Sequence, residues 1–527
     1  MATLEPGVTD SPAAVRGGLY LLLGIAAAKV LLNVAFHGQY GYFRDELYYL
    51  ACSDHLDWGY VDHPPLSIAI LKVIRLVFGD SLYAIRFPAA LAGGASVVLT
   101  GLMARKLGGG RFAQGLAAFC IALSPVVLGN GARSFSMNAF DLLFWAWGAY
   151  VFIAILIGGS PRLWLWLGVI VVAGLMNKYS MLFFAAGAGV GLLLAGRWRD
   201  LRTSAPWIGA AIATAIFLPH LIWEARLGWP SLEFMRNAAE SKNVKLPAGE
   251  FLVGQILQTG LGQSLVWISG LAFLFRARGM PSIRAVGWMF VAVASVMLVT
   301  NAKAYYLSPI YFPLVAAGAV AIDRTASRRR LGWLRPAIGA LVLVFSLIAL
   351  PFAVPILPID TFVRYQNALG MTPKAEERDR AADVPQSYSD MFGWEGMVSQ
   401  IADAYARLTP EERRHAVIFA RNYGEAAAID FFGRRAGLPR AICPHNNYWY
   451  WGSGDPEMTT AIVIGGERTL EANLADLTGP GRFDTATLAA TTSCDHCRPL
   501  ENGRMIFICR GPHFRFRDIW VDERHFV

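Results

Sequence analysis

The chain has 527 residues, of which 55% are hydrophobic and only 16% charged, against about 25% charged in an ordinary soluble domain. That balance excludes a disordered, collagenous or wholly soluble globular protein. The formal net charge of +9 is concentrated in loops between apolar segments, so it reads as a topology signal and not as a nucleic-acid footprint.

A spanning helix needs about 20 mostly apolar residues. Read with that window, the sequence offers eleven candidate spans: 17–36, 82–104, 112–129, 139–158, 163–177, 179–196, 206–223, 251–275, 285–300, 304–322 and 336–355. The first lacks a basic leader and a small-residue cleavage site, so it reads as a retained span. The pair 163–177 and 179–196 is the shortest, with Lys178 between its members.

Lys and Arg collect in alternate short loops: Arg105, Lys106 and Arg111; Arg162; Arg197, Arg199 and Arg202; Arg276, Arg278 and Arg284; and Arg324, Arg328, Arg329, Arg330 and Arg335. The positive-inside bias makes those loops cytoplasmic. The N-terminus is then expected inside and the tail outside, which is the periplasm in a bacterium.

The opposite face receives the unusual polar residues. Loop 37–81 carries Arg44, Asp45, Glu46, Asp54, Asp57, Asp62 and His63, and its stretch 66–78, too short to span, reads as an interfacial helix. Arg133, Asp141, Lys178, Lys303 and the loop 224–250 are expected on the same face. Lys72, Arg75 and Arg86 read equally well as cations that snorkel. Asp141 lies inside an apolar run, where a carboxylate is costly without a partner or task. Arg133 and Lys178 run against the positive-inside bias.

Carboxylates and scattered cations at one membrane face suit a substrate that is anionic there, such as a polyprenyl phosphate carrying a sugar. Lys and Arg would meet the phosphate, and one carboxylate would take the proton of an acceptor hydroxyl as it attacks the anomeric carbon. Such chemistry needs no nucleotide and no nucleic acid.

The segments "RDELYYL" and "DHPPL", Asp141 in "RSFSMNAFDLLFW", and "AKAYYLSPIYFP" together resemble the membrane GT-C glycosyltransferases. The nearest branch holds lipid A aminoarabinose transferases and protein O-mannosyltransferases. The resemblance covers roughly 15–355. It implies Asp45 as catalytic base, Glu46 as a neighbour orienting acceptor or metal, and Asp141 as a second acidic position. It places Lys178 and Lys303 near the donor phosphate. Arg44 and Arg133 join them from topology, His63 is placed from topology in the substrate cavity, and Tyr305 and Tyr306 either line that cavity or belong to an interfacial belt. No cofactor is required, although Glu46 and Asp141 leave a divalent ion open. The implied activity is hexosyl or pentosyl transfer from a polyprenyl-phosphate sugar to a lipid A, glycan or protein hydroxyl at the inner membrane.

From about 356 the composition turns polar, which gives a membrane domain 1–355 and an extracytoplasmic domain 356–527. Helical spacing over 394–407, a strand "HAVIFA", a helix "NYGEAAAIDFFGRR", a strand "TAIVIGG", a helix 467–476 and a strand "RMIFICR" predict a small α/β domain. The aromatic run "HNNYWYWG" reads as packing before sugar stacking. Cys443, Cys494, Cys497 and Cys509 are disulfide candidates in an oxidising compartment; "CDHC" with His496 leaves zinc or redox exchange open. Eleven spans also suit a transporter or flippase of an amphiphile, and a scaffold in envelope assembly is a third class. No internal repeat of the transporter kind is apparent.

Overall fold

A computed structural model describes residues 12–527 apart from 243, 245, 278, 375, 376, 378 and 379. The extreme N-terminus, Arg278 and part of the segment 372–387 lie outside the described residues. By internal packing the chain divides into two units. Met1–Gln39, Phe78–Ile222 and Lys245–Pro358 form the first; Tyr40–Val77, Trp223–Val244 and Ile359–Val527 form the second. The division does not follow a single cut at 355/356, because most of the first long loop and part of the 224–250 loop pack with the tail.

The first unit is helical, and the chain is a multi-span membrane protein. Among the described residues seven helices are long and apolar enough to cross a bilayer: Arg16–Ala35, Leu82–Lys106, Met137–Leu156, Ser204–Arg226, Pro281–Val299, Ala304–Arg328 and Leu334–Ala353. Two broken pairs raise the number to nine if each is one span. Arg111–Ala122 and Pro125–Ala132 meet at 55°, and Ala248–Thr259 and Leu261–Arg276 meet at 106°. The first break falls at Ser124-Pro125, with proline at the first helical position. The second falls at Gly260, whose φ of +102° only glycine adopts readily.

The difference from eleven lies in the segments flanking Lys178. They form helices Leu163–Leu175 and Met181–Leu194, of 13 and 14 residues. At 1.5 Å per residue these reach about 20 Å, short of the roughly 30 Å hydrocarbon core.

Small residues let the helices approach. Gly270 and Gly318 face each other's helices so closely that a Cβ on either would strike the opposite backbone at Leu314 or Val266. The first span also carries a buried polar stripe that sequence reading passed over. Lys29 donates to the Ala90 carbonyl (3.3 Å), Asn33 to that of Leu128 (3.3 Å), and His37 Nε2 lies 3.0 Å from that of Gly131. The Gly131 carbonyl belongs to the last turn of Pro125–Ala132, whose carbonyls have no intrahelical partner. Arg86 does not snorkel: it is fully buried and donates to the His37 carbonyl at 2.6 Å.

The second unit holds a five-stranded sheet of β1 (Ala416–Phe419), β2 (Ala441–Ile442), β3 (Thr460–Ile464), β4 (Phe483–Thr491) and β5 (Met505–Pro512), in the order β2-β1-β3-β5-β4. β2, β1 and β3 run parallel, with Ile418 opposite Ala441 and Ile462; β5 and β4 are antiparallel. Val417, Phe419, Ala461, Val463 and Phe507 point to one face and form a core with Phe516 and Trp520. The run 445–452 packs inside this unit: Tyr448 is buried, and Trp449 and Trp520 exchange indole-to-carbonyl hydrogen bonds of 2.7 and 2.8 Å.

Cys494 and Cys497 are joined as a disulfide, whereas Cys443 and Cys509 are free and buried. Cys443 follows β2 and Cys509 sits on β5, three places away in the sheet. At about 4.8 Å per strand that is roughly twice the Cα separation a disulfide spans. The amphipathic helix Leu66–Phe78 buries Ile68 and Leu71 and exposes Val73, Leu76, Val77 and Phe78. Its cations are engaged: Arg75 and Lys72 lie 2.8 and 3.7 Å from Asp54.

Candidate active site

The polar residues singled out in the sequence form a cluster in each unit. In the second unit the helix Arg44–Asp54 starts with three adjacent ionisable residues that have different fates. Glu46, at the third helical position, is 1% exposed, and its carboxylate accepts the Phe43 amide at 2.9 Å. It closes the first turn of its own helix. Arg44 is 8% exposed, and its stem lies over Gly424, where a Cβ would come 2.6 Å from Arg44 Cγ. Its guanidinium faces Glu377 (3.4 Å), Asp45 (3.5 Å) and Asp390 (3.7 Å). Arg44 is therefore committed to carboxylates of its own unit and does not present an open phosphate fork.

Asp45 differs from both neighbours because its side chain keeps 35% exposure. Tyr423, at the start of helix Tyr423–Phe432, donates its hydroxyl to Asp45 Oδ1 at 2.9 Å. Burial pushes the Tyr423 phenol well above its ordinary range, so it stays a donor. The carboxylate is thus fixed through one oxygen by Tyr423 and Arg44.

Around them, Glu377 also accepts from Arg498 at 2.6 Å and lies 3.9 Å from Lys242. Lys242 sits 5.8 Å from the centre of the Tyr423 ring. Burial pushes the Asp390 carboxyl up to about 7 against the pull of Arg44. His63 is fully buried, with Nδ1 3.0 Å from the Pro64 carbonyl and its ring among Tyr48, Tyr49 and Tyr60. It belongs to the core of the unit and not to an open cavity wall. Sequence reading missed Tyr423, Asp390 and Lys242, which carry no local motif.

In the first unit Asp141 is 2% exposed on Met137–Leu156. Ser180 donates to it, and Lys178 Nζ lies 3.6 Å from its other oxygen. Lys178 also donates to Asn138 at 2.6 Å and stands over the rings of Tyr305 and Tyr306, 5.4 and 5.3 Å from their centres. The two tyrosines, paired at 4.6 Å, therefore enclose a cation. The signal for Asp141 was its cost inside an apolar run; Asn138 and Ser180 gave none.

Arg133 donates to the Phe352 carbonyl at 3.1 Å. Lys303 is partly exposed at the head of the turn Ala304–Ile310, and its ammonium makes no hydrogen bond or ion pair among the described residues. Among the described residues no group of three or more His, Cys, Asp or Glu side chains is placed to hold a metal ion.

A family model for dolichyl-phosphate-mannose-protein mannosyltransferases matches residues 62–223. The lipid A galacturonosyltransferase RgtD of Rhizobium johnstonii is 25% identical over 296 residues, which is 55% of this chain and 62% of that protein. The aligned stretch thus spans less than two thirds of that relative. The crystal structure of ArnT from Cupriavidus metallidurans in the apo state superposes with a TM-score of 0.60 at 14% identity, over 94% of this chain and 98% of that one. The same protein bound to undecaprenyl phosphate gives 0.57 at 13% identity over the same shares. The chain has the GT-C fold, with its membrane helices and its sheet-bearing unit both inside the superposed length.

Proposed function

We propose that this GT-C chain transfers a sugar from a polyprenyl-phosphate donor to a hydroxyl acceptor at the outer face of the inner membrane, with Asp45 as the base. The observation that carries the proposal is the contrast within one turn: Glu46 caps, Arg44 is neutralised, and Asp45 alone keeps an accessible carboxylate, held by Tyr423. The acceptor oxygen bonds to the anomeric carbon as the bond from that carbon to phosphate oxygen breaks. The phosphate leaves with the electron pair, and the hydroxyl proton passes to Asp45.

Lys303, whose ammonium has no partner among the described residues, and Lys178 suit neutralisation of the departing phosphate. Asp141 sets the position of Lys178. No step is routed through a metal ion. The match to a lipid A galacturonosyltransferase favours a lipid-borne saccharide as acceptor ahead of a protein hydroxyl. The alternating Arg loops favour a cytoplasmic N-terminus and a periplasmic second unit.

The test is reconstitution into liposomes with radiolabelled polyprenyl-phosphate sugars and an extracted envelope fraction. Label should move to a new lipid-extractable product. Donor that merely crosses the bilayer, with no product formed, would place the protein among the flippases instead.

A further inference from the structure

The motif "CDHC" has no place in the transfer chemistry, yet the second unit ties it to the Asp45 cluster. Of the six cysteines only Cys494 and Cys497 are joined. So short a ring constrains the unfolded chain less than a long loop does, and its effect falls on the turn that contains it. That turn is also held from outside. His496, at a φ of +62° that residues with a Cβ seldom adopt, sets Nδ1 2.6 Å from Asp383 and Nε2 3.2 Å from Asp360.

Two routes lead from this turn to Arg44. On the first, Arg498 follows Cys497 directly, is 8% exposed and donates to Glu377 at 2.6 Å; Glu377 in turn lies 3.4 Å from the Arg44 guanidinium. On the second, Cys494 rests on Gly393, where a Cβ would come 2.9 Å from the sulfur. Gly393, at a φ of +91°, opens the helix Trp394–Ala406. Three residues earlier the Asp390 carbonyl accepts the Arg44 amide and the Trp394 indole, both at 2.9 Å. The Asp390 carboxyl lies 3.7 Å from the guanidinium. Both carboxylates that face Arg44 besides Asp45 are thus seated by chain that abuts the disulfide.

We infer that Arg498 and the Cys494–Cys497 disulfide are positioning groups for Asp45, and that a dithiol reaching Cys494 turns the site down. The inference rests on the proposed role of Asp45 as base. Glu377 and Asp390 hold the Arg44 guanidinium; once they loosen, its charge is left to Asp45, 3.5 Å away, and a carboxylate engaged by a cation is a poorer proton acceptor. Cys494 is the reachable sulfur, being partly exposed where Cys497 is 6% exposed. A thiolate of the dithiol attacks the Cys494 sulfur, the S–S bond breaks and Cys497 leaves as thiolate. The second thiol then closes the reagent's own disulfide and frees Cys494. Two electrons pass from the dithiol to the protein, and its two protons end on the cysteines.

The experiment follows the full chain in nanodiscs, oxidised and after dithiothreitol, by amide hydrogen exchange and by sugar transfer. Reduction should speed exchange over 40–50 and 386–394, where the Arg44 amide meets the Asp390 carbonyl, and leave β1 and β3 unchanged. Transfer should fall about ten- to a hundredfold, the worth of one hydrogen bond to a charged group, with donor affinity unchanged. Arg498→Gln, whose disulfide stays intact, should show the same fall without reductant, and Arg498→Lys, which keeps a cation for Glu377, should recover part of it. Cys494→Ser should behave as the reduced protein and respond no further to dithiothreitol. Faster exchange confined to 490–505, or full transfer by the reduced, folded chain, would overturn the inference. If the reduced chain melts early, full transfer by Arg498→Gln overturns it instead. Exchange is read without turnover: normal transfer by Asp45→Asn would remove the base, whereas exchange confined to 490–505 removes the clamp.

Discussion

Tyr423 and Asp45 are 378 positions apart in sequence, yet the phenol donates to Asp45 Oδ1 at 2.9 Å. The contact orients the one accessible carboxylate at the head of Arg44–Asp54. Tyr423→Phe keeps the ring, its packing on Tyr48 at 4.8 Å and its place over Arg44, and removes only the donor. A hydrogen bond to a charged group is worth about 1.5–3 kcal/mol, so turnover should fall about ten- to a hundredfold. Donor KM and the melting temperature should hardly move. A large loss of melting temperature with normal specific activity would make Tyr423 a structural residue only.

Glu46 should behave in the opposite way to its neighbour. Its carboxylate closes the helix start, so Glu46→Gln, which keeps an acceptor, should retain most turnover. Glu46→Ala should cost about 1–2 kcal/mol of stability, as the loss of a cap does. Thermal melts beside transfer assays separate the two substitutions; a Glu46→Gln protein that melts normally but does not turn over would give Glu46 a chemical role.

The Lys178–Asp141 pair can be divided into structure and chemistry by a double-mutant cycle. Lys178→Met leaves Asp141 without its counter-charge and should destabilise by about 3–5 kcal/mol. Adding Asp141→Asn should restore most of the melting temperature. Transfer should stay low in the double variant, because the cation for the departing phosphate is still missing. Recovery of activity together with the fold would reduce Lys178 to a partner of Asp141.

How far the sequence reveals this molecule depends on whether the signal is local. The apolar helices and the strands "HAVIFA", "TAIVIGG" and "RMIFICR" are runs of buried residues, and they are legible. β2 is two residues long and gives no pattern. β4, "FDTATLAAT", is an edge strand with mostly exposed or half-exposed residues, so it lacks the buried alternation that marks a strand. Asp45 stands out because acids cluster beside it, while its orienting partner sits in "NYGE", which reads only as a helix start. The carboxylates facing Arg44 come from residues 377 and 390, and nothing in "RDEL" foretells that they neutralise it.

Asp430 supplies a pH test of the second unit. Burial raises its carboxyl to about 6, although it accepts from the Ala441 amide at 2.8 Å and the Tyr448 hydroxyl at 2.9 Å. A raised carboxyl binds its proton more tightly in the folded chain than in the unfolded one. Stability should therefore fall as pH rises from about 4 to about 6 and stay level above, by on the order of 3 kcal/mol. Asp430→Asn should remove that slope, gaining melting temperature relative to the unmodified protein at pH 8 but not at pH 4. Equal pH profiles for both proteins would show that Asp430 is not the source.

The account rests most directly on Asp45. Asp45→Asn keeps an oxygen for the Tyr423 hydroxyl and nearly the same volume, and removes the basic oxygen that receives the acceptor proton. The measurement is single-turnover transfer from a radiolabelled polyprenyl-phosphate sugar, with donor binding and a thermal melt on the same preparation. The account expects transfer to fall about 10²–10⁴-fold while donor affinity and melting temperature stay near those of the unmodified protein. Near-normal transfer by well-folded Asp45→Asn would contradict it.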